Sequence, residues 1–477
     1  MLRHGSEAVV ADSLWDAMAS LSTHLREQSC RILAVLADNG PDWVMADLVA
    51  LQSGLVHLPL PNFFSPSQMT HALNQAGADT VLTDQPVRIE ALGLGFARID
   101  QWRGLTLMGR DVASMDLPKG TAKISFTSGS TGSPKGVCLS AAGLLDTAQA
   151  LVSALSSLSI QRHLAVLPLS LLLENVAGVY APLLSGAEVV LPDLNDMGWR
   201  GMSGFDPVAL AEVANTTQPG SVILVPELLK AWTLFLMTSG QSAPESLKFV
   251  AVGGARCDTG LLQMARTQGL PAFEGYGLTE CGSVVSLNLP GADLPGSVGH
   301  PLSHVRIHTG VEGEIRVESR AFLGYLHDST TPQAVWPTGD LGCLDDNGFL
   351  HLSGRRKNLL ITAFGRNVAP EWVEAALTAQ PEIAQAVAVG EAKPWLSALL
   401  TPMPGADAAA LERAVARANA ELPDYARMRS WLPVAHFTLE NGFATGNGRP
   451  RREAIAVHYA AAIESLYQNK ESSHVIL

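Results

Sequence analysis

Buried-strand and helix patterns alternate along the first half of this 477-residue chain, and this alternation limits its possible folds. Residues 31–37 form a short, mostly apolar run, typical of a strand buried on both faces. A helix is predicted from Pro41 to about Ser53, with Gly54 beyond its end, because proline suits the first helical position and glycine the position after the last. The rhythm recurs further along, so we predict an α/β protein with many parallel strands.

The pattern changes twice toward the C-terminus. Between about residues 296 and 352, short alternating segments are separated by Gly and Asp turns, which indicates a small β-barrel or sheet. After Arg355 a last block of mixed helix and strand patterns follows. We therefore predict a large N-terminal α/β domain of several subdomains, with a β-barrel-like part, over residues 1–355, and a small α+β domain over residues 356–477.

Composition excludes several classes of protein. Hydrophobic residues make up 47% of the chain and charged residues 16%, which favours a packed core over disorder. The formal net charge of −13 argues against a general nucleic-acid binder. Five scattered cysteines without Cys-x-x-Cys spacing indicate the reduced thiols of a cytosolic protein. The most apolar stretch, residues 164–191, is interrupted by Pro and Glu, so we expect no integral membrane protein.

One segment predicts phosphate binding. Residues 124–137 read Ile-Ser-Phe-Thr-Ser-Gly-Ser-Thr-Gly-Ser-Pro-Lys-Gly-Val. Glycine lets a backbone approach a ligand closely, and exposed N–H groups, hydroxyls and a lysine together bind anions. A flexible Ser/Gly linker is the alternative, and neither a Walker A loop nor a dinucleotide fingerprint fits. The candidate phosphate-binding residues are Thr127, Ser128, Gly129, Ser130, Thr131, Gly132 and Lys135.

Residues 274–280 read Glu-Gly-Tyr-Gly-Leu-Thr-Glu and offer three further groups for a nucleotide. Tyr276 could stack on a purine, Thr279 could bind phosphate, and Glu280 is a hard oxygen ligand for Mg²⁺. Later in the chain, Asp340 could accept hydrogen bonds from a vicinal diol such as ribose. Taken singly, each has a structural alternative: packing for the tyrosine, solvation for the glutamate and turn formation for the aspartate.

Four motifs occur in chain order: the loop, Tyr-Gly-Leu-Thr-Glu at 276–280, Thr-Gly-Asp at 338–340 and Gly-Arg-Arg-Lys-Asn at 354–358. Together they resemble the adenylate-forming superfamily, which includes acyl-CoA synthetases, peptide-synthetase adenylation domains and firefly luciferase. The resemblance extends over nearly the whole chain. It implies that a carboxylate attacks the α-phosphorus of ATP to give acyl-AMP and pyrophosphate, and that a thiol of CoA or of a carrier-protein pantetheine then displaces AMP.

The resemblance also implies roles for individual residues, a mobile C-terminal domain, and ATP, Mg²⁺ and CoA as cofactors. The implied roles are the loop Thr127 to Gly132 with Lys135 for the β- and γ-phosphates, Tyr276 for adenine, Thr279 for the α-phosphate, Glu280 for Mg²⁺, Asp340 with Arg355 for ribose, and Lys357 for the interdomain hinge.

The sequence departs from the family pattern at the catalytic cation. Members usually carry a lysine near the C-terminus, and Arg449 stands at that position here. Arginine keeps the positive charge, but its planar fork is not equivalent to an ammonium. We predict that Arg449 bridges the carboxylate and the α-phosphate. A solvated basic patch formed with Arg451 and Arg452 is the alternative.

Residues 167–174, Leu-Pro-Leu-Ser-Leu-Leu-Leu-Glu, bear on the acid that is activated. They lack the His common in fatty acyl-CoA synthetases and the Asp that amino-acid-activating relatives use. The leucines line an acyl pocket or belong to the core, and periodicity does not separate the two. We expect an acyl-CoA synthetase for a medium- or long-chain fatty acid. The alternatives are an acyl-AMP ligase that loads a carrier protein and a catalytically weak relative that binds nucleotide or acyl ligands.

Overall fold

The computed structural model describes residues 1–127, 135–200, 204–328, 333–364, 366–445 and 448–468. Within these stretches the chain forms two large sheets, one four-stranded sheet and two smaller sheets. The predicted α/β fold is confirmed, but its strands belong to two separate large sheets.

The first large sheet has nine strands in the described part of the chain. In spatial order they are His300–Pro301, Ser283–Leu287, Ala272–Leu278, Phe249–Val252, Ser221–Leu224, Arg162–Leu164, Glu188–Val190, Leu2–His4 and Glu7–Val9. The central strands pair in parallel, and antiparallel strands are added at both edges.

The second large sheet has eight strands, counted over the same residues. In spatial order they are Phe322–Tyr325, Lys135–Ser140, Thr121–Thr127, Val56–Pro59, Ile32–Leu36, Thr80–Thr83, Leu105–Gly109 and Ala97–Trp102. Its middle is parallel, and the strand Lys135–Ser140 pairs antiparallel with both of its neighbours.

Helices cover the two sheets in layers. One core cluster joins buried residues of both sheets with those of Ala11–Glu27, Pro41–Ser53 and Ala141–Leu155, so these helices pack between the sheets. Other clusters place Pro207–Thr217, Pro226–Ser239 and Thr259–Thr267 on the nine-stranded sheet, and Pro66–Ala76 and Pro86–Glu90 on the eight-stranded sheet. The short helix Ala181–Leu184 follows a π-helical segment, Glu174–Tyr180.

The predicted small β part is a four-stranded antiparallel sheet. Its strands are Arg306–Thr309, Glu314–Glu318, Val335–Leu344 and Leu350–Arg355. Its residues Ile315, Val317 and Leu350 share a small core with Cys281 and with Val285 of the nine-stranded sheet. The sheet ends at Arg355, where the next part of the chain begins.

The C-terminal segment, residues 356–468, has a separate core. A two-stranded pair, Leu360–Ile361 and Asn367–Val368, precedes a sheet of Ile383–Val389, Leu396–Pro402 and Met428–Pro433. The helices are Pro370–Thr378, Ala408–Glu421, Arg452–His458 and Ala460–Gln468. Two hydrophobic clusters, one with Leu377 and Leu411 and the other with Ile455 and Leu466, pack against the three-stranded sheet.

One described stretch, Ala141–Leu158, is apolar and long enough to cross a membrane by length and composition alone. Its residues Leu144, Ala148 and Leu151 are buried in the core between the two large sheets. Only 33% of this stretch is buried, so one face of the helix packs on the core.

Candidate active site

Two parallel strands of the nine-stranded sheet, Ser221–Leu224 and Phe249–Val252, end side by side, and the third, Ala272–Leu278, runs four residues further. The candidate residues gather at this edge. Leu224 lies opposite Val252, and Val252 lies opposite Glu274. Ligands of open α/β sheets bind beyond the carboxyl ends of parallel strands. This edge is therefore where a substrate site is expected.

Tyr276, Asp340 and Arg355 form one connected group. The phenol of Tyr276 donates a hydrogen bond to Oδ2 of Asp340 at 2.6 Å, and Nε of Arg355 pairs with Oδ1 at 2.9 Å. Asp340 and Arg355 face each other across antiparallel strands of the four-stranded sheet. The structure thus brings together the residues predicted for adenine and for ribose.

The charge of Asp340 shifts the pKa values of both of its partners. Burial and the charge of Asp340 raise the pKa of Tyr276 well above its ordinary value, so the phenol stays protonated and donates. Burial acts to lower the pKa of Arg355, but Asp340, together with Tyr276 and Glu371, raises that pKa above its ordinary value. A carboxylate has about four acceptor positions, so Asp340 keeps capacity for two hydroxyl donors.

A second group joins Glu280 to the predicted phosphate loop through Tyr325. The Tyr325 hydroxyl donates to Oε1 of Glu280 at 2.8 Å. Nζ of Lys135 lies 5.4 Å from the centroid of the Tyr325 ring, a cation–π distance. Burial and the charge of Glu280 raise the pKa of Tyr325. The predicted metal ligand and the predicted phosphate lysine therefore share one aromatic partner.

The two strands that flank the predicted phosphate loop pair with each other in antiparallel fashion. Thr127 pairs with Lys135 as the last pair of two antiparallel strands. The predicted residues Ser128, Gly129, Ser130, Thr131 and Gly132 lie outside the described residues. What the structure gives for this loop is its two anchored ends.

Thr279 and Glu280 follow the strand Ala272–Leu278 in a 3₁₀ turn, Thr279–Cys281. The strand approaches its antiparallel neighbour so closely at Gly277 that an added Cβ would lie 1.8 Å from the Ser283 carbonyl oxygen. Glycine is therefore required there. The pairing of the two strands shifts register between Tyr276 and Gly277, so Tyr276 and Thr279 lie on either side of this shift.

Arg449 reaches this edge from the C-terminal segment. Its Nη2 donates to the backbone carbonyl of Gly254, two residues beyond the end of the strand Phe249–Val252. Arg449 keeps solvent-exposed surface, yet burial of its guanidinium and the charge of Arg355 lower its pKa from the ordinary value. An arginine remains charged under such a shift. Arg452 is not part of a solvated basic patch, because its Nη1 donates to Glu374 at 2.7 Å.

Two family models match successive parts of this chain. Residues 11–321 match the family of AMP-binding enzymes, and residues 357–471 match the C-terminal domain of AMP-binding enzymes. This chain belongs to the AMP-binding enzyme family.

Relatives of this AMP-binding enzyme include ligases of different acids. It is 34% identical over 251 residues to the long-chain-fatty-acid–CoA ligase FadD15 of Mycobacterium bovis, covering 46% of this chain and 42% of FadD15. It is 31% identical over 291 residues to the 2-succinylbenzoate–CoA ligase of Bacillus velezensis, covering 57% of this chain and 56% of that ligase. These matches thus span about half the length of each relative.

Solved structures share the fold along nearly the whole chain. The o-succinylbenzoate CoA synthetase MenE of Bacillus subtilis, in complex with its acyl-adenylate intermediate, has a TM-score of 0.74 at 22% identity and covers 95% of this chain and 94% of that one. The anthranilate CoA ligase AuaEII, in complex with anthranoyl-AMP, has a TM-score of 0.79 at 17% identity and covers 97% and 94%.

Several contacts of this AMP-binding enzyme were not singled out from the sequence. Tyr325 and Gly254 belong to no motif recognised above, and their roles depend on which strands become neighbours. Lys357, the predicted hinge, lies exposed in the 3₁₀ turn Arg356–Asn358 directly after Arg355. Its hinge role stays a prediction.

The segment 167–174 divides between core and site. Leu167 and Leu169 are buried in the core, and Glu174 is wholly buried, with Oε1 2.9 Å from His163 Nε2 and Oε2 accepting from the Leu167 N–H at 3.0 Å. Leu173 is only partly buried and lies next to Gly253, where an added Cβ would meet its side chain at 3.7 Å. Leu173 therefore faces the strand ends, whereas most of the segment is core.

Proposed function

We propose that this AMP-binding enzyme activates a carboxylic acid with ATP to form acyl-AMP and then transfers the acyl group to CoA. The observation that carries the proposal is the convergence of the Tyr276–Asp340 pair, Glu280 and Arg449 on the ends of the same strands. Family membership supports the nucleotide chemistry.

The first step forms an acyl carboxylate O–P bond at the α-phosphorus and breaks the bond to pyrophosphate. The second step forms a C–S bond, breaks the acyl C–O bond to release AMP, and frees the thiol proton. Such transfers depend on positioning and charge neutralisation. Lys135 and Arg449 would supply positive charge at opposite ends of the phosphate chain.

The remaining residues would bind and orient the nucleotide. Tyr276 would hold adenine, Asp340 with Arg355 the ribose, Thr279 the α-phosphate, and the loop from Thr127 to Gly132 the β- and γ-phosphates. Glu280 fits Mg²⁺, which would neutralise phosphate charge when bound. Among the described residues no cluster of three metal-binding side chains occurs, and Mg²⁺ commonly takes one or two carboxylates together with substrate phosphates.

We infer that the acid is a medium- or long-chain fatty acid. Support comes from Leu173 at the strand ends, from the absence of an acidic residue in 167–173, and from the likeness to a long-chain-fatty-acid ligase. An aromatic acid is the second candidate, because other relatives are 2-succinylbenzoate–CoA ligases.

Carboxylate-dependent ATP–pyrophosphate exchange tests the proposal directly. The panel holds medium- and long-chain fatty acids and aromatic acids, including 2-succinylbenzoate. Exchange with fatty acids is the expected result, and exchange with aromatic acids alone selects the second candidate. Exchange with no acid contradicts the proposed activity and favours a protein that only binds nucleotide or acyl ligands.

A thioester assay separates the two acceptors. We expect faster acyl transfer to free CoA than to a pantetheinylated carrier protein. The reverse preference identifies a ligase that loads a carrier.

We also propose a division into domains at residues 355 and 356, with Lys357 as the hinge of a mobile C-terminal domain. A cytosolic location is supported by the cysteines, since all five are free and four are buried.

A further inference from the structure

Lys230 joins the N-terminal part of the chain to the C-terminal segment. It lies on the helix Pro226–Ser239 and is 8% exposed. Its Nζ donates to the backbone carbonyls of Thr378 at 2.6 Å, Gln380 at 2.6 Å and Ile383 at 2.7 Å. An ammonium has three N–H donors, so all three are used across this contact.

Thr378 is the last residue of the helix Pro370–Thr378, Gln380 follows it by two residues, and Ile383 is the first residue of the next strand, Ile383–Val389. The last carbonyls of a helix lack intrahelical donors and carry partial negative charge, so a cation stabilises them. Burial lowers the pKa of Lys230 to about 8, while Glu382 and Glu227 act in the opposite direction. The ammonium therefore remains mostly charged at neutral pH.

The same helix leads back to Arg449. Glu374 lies in the helix Pro370–Thr378 and accepts hydrogen bonds from Arg452. Arg452 follows Arg449 by three residues, and Arg449 contacts Gly254. A continuous set of contacts therefore runs from Lys230 through one helix to Arg449.

The helix that carries Lys230 also borders the site. Burial and the charge of Arg355 lower the pKa of Arg449, and Glu227, one turn before Lys230, opposes them. The strand before this helix, Ser221–Leu224, is the parallel neighbour of the strand that leads to Gly254. The helix with Lys230 and the Gly254 carbonyl bound by Arg449 therefore follow adjacent strands of the sheet.

We propose that Lys230 is a positioning residue for Arg449. It holds the helix Pro370–Thr378 against the N-terminal part, so that Arg449 stays at the strand ends where acyl-AMP would form. The proposal rests on the proposed function. Loss of the ammonium should slow acyl-AMP formation more than the later transfer from preformed acyl-AMP to the thiol, because Arg449 neutralises charge in the first step.

Lys230→Met tests the proposal, with Lys248→Met as the matched control. Nζ of Lys248 also donates to two backbone carbonyls, those of Leu158 and Ser159, but within the N-terminal part. Lys230→Met is expected to lower ATP–pyrophosphate exchange about tenfold or more, and Lys248→Met to leave it unchanged. In the Arg449→Ala background, Lys230→Met should have little further effect, because coupled residues are non-additive. Equal effects of the two lysine variants, or full additivity with Arg449→Ala, overturn the proposal.

Hydrogen–deuterium exchange gives a readout that does not depend on activity. Lys230→Met should raise exchange in peptides spanning residues 443–452, whereas Lys248→Met should not. If the wild type shows no pyrophosphate exchange with any acid, the proposed function fails, and this readout alone decides: unchanged deuterium uptake overturns the positioning role, and raised uptake supports it. If Lys230→Met does not fold, Lys230→Gln replaces it: it removes the charge and at least one of the three contacts, so a smaller fall in exchange and a smaller rise in deuterium uptake are expected, and no change in either overturns the proposal.

Discussion

Asp340 has its orientation set by two protein partners. Tyr276 belongs to the nine-stranded sheet and Arg355 to the four-stranded sheet, and each binds a different oxygen of Asp340. A carboxylate fixed from two sides needs little reorganisation when hydroxyl groups bind to its free positions. At the scale of single residues, the carboxylate proposed to bind ribose is therefore already oriented.

Replacing Glu280 by glutamine tests the metal assignment. The amide keeps an acceptor for the Tyr325 hydroxyl but removes the negative charge that Mg²⁺ requires. We expect pyrophosphate exchange to fall about 100-fold, the usual cost of losing one electrostatic contribution to a transition state. Glu464→Gln is the control, since Glu464 is exposed and pairs with Lys393. Wild-type exchange in Glu280→Gln contradicts the assignment.

Glu274 predicts a pH dependence of stability. Burial raises its pKa from 4.5 to about 7, while Oε1 accepts a hydrogen bond from the Cys257 N–H at 2.9 Å. Between these values the folded chain holds a proton that the unfolded chain has released, so the free energy of unfolding falls as pH rises. Above about pH 7 the ionised carboxylate costs about 3 kcal/mol.

Glu274→Gln should remove this decline, because glutamine keeps the acceptor and carries no charge. Urea unfolding at about pH 5 and about pH 8 measures the effect. The variant is expected to be more stable than wild type at the higher pH. An unchanged difference between the two pH values would show that Glu274 does not titrate in this window.

A buried polar network connects elements around the eight-stranded sheet. Asp47, on the helix Pro41–Ser53, lies 2.9 Å from Lys123 Nζ on the strand Thr121–Thr127 and 2.5 Å from His57 Nδ1. Its other oxygen accepts from Tyr180 on the π-helical segment at 2.7 Å. Burial opposes the charge of Asp47, yet Lys123 and His57 hold its pKa below the ordinary value. This network holds the strand Thr121–Thr127, which leads into the predicted phosphate loop.

Lys123→Met should destabilise the fold strongly, because it leaves the Asp47 charge buried with less compensation. The expected loss is about 3–5 kcal/mol in the free energy of unfolding, measured by urea titration. The double variant Lys123→Met with Asp47→Leu should recover part of it. Lys393→Met, which breaks an exposed pair, should cost less than about 1 kcal/mol. Equal losses for Lys123→Met and Lys393→Met contradict the role of the network.

Sequence signals were reliable for helices whose ends carry a proline or a glycine. The helix Pro41–Ser53 has the predicted bounds, with Gly54 in the left-handed conformation after it. The helix Ala11–Glu27 has no such signal at its start, because its N-cap position, Val10, makes no side-chain capping bond. Strand order was not predictable, because sheet neighbours such as Phe322–Tyr325 and Lys135–Ser140 are far apart in sequence.

At the scale of the whole molecule, the site combines both parts of the chain. The motifs located Tyr276, Asp340 and Arg355, since their spacing is characteristic of the family. They did not reveal the Tyr325–Glu280 bond or the contact of Arg449 with Gly254, because these depend on tertiary and interdomain packing.

Arg449→Ala tests this interdomain contribution. If Arg449 has its proposed role, removing the guanidinium takes positive charge from the reacting carboxylate and α-phosphate, and exchange should fall about 100-fold. Transfer from preformed acyl-AMP should fall much less. Arg451→Ala is the control, since Arg451 is exposed in the same basic run. Similar losses in both half-reactions, or in both variants, would show that only the general charge of the run matters.

The hydrogen bond from Tyr325 to Glu280 crosses between the two large sheets. Lys135 belongs to the eight-stranded sheet, as Tyr325 does. Tyr276 lies in the strand of the nine-stranded sheet that leads to Glu280. A nucleotide with its base at Tyr276 and its terminal phosphate at Lys135 would therefore span the boundary between the sheets. Bound ATP would act as a removable crosslink between the sheets. A change in the angle between the sheets would therefore change the affinity for the nucleotide.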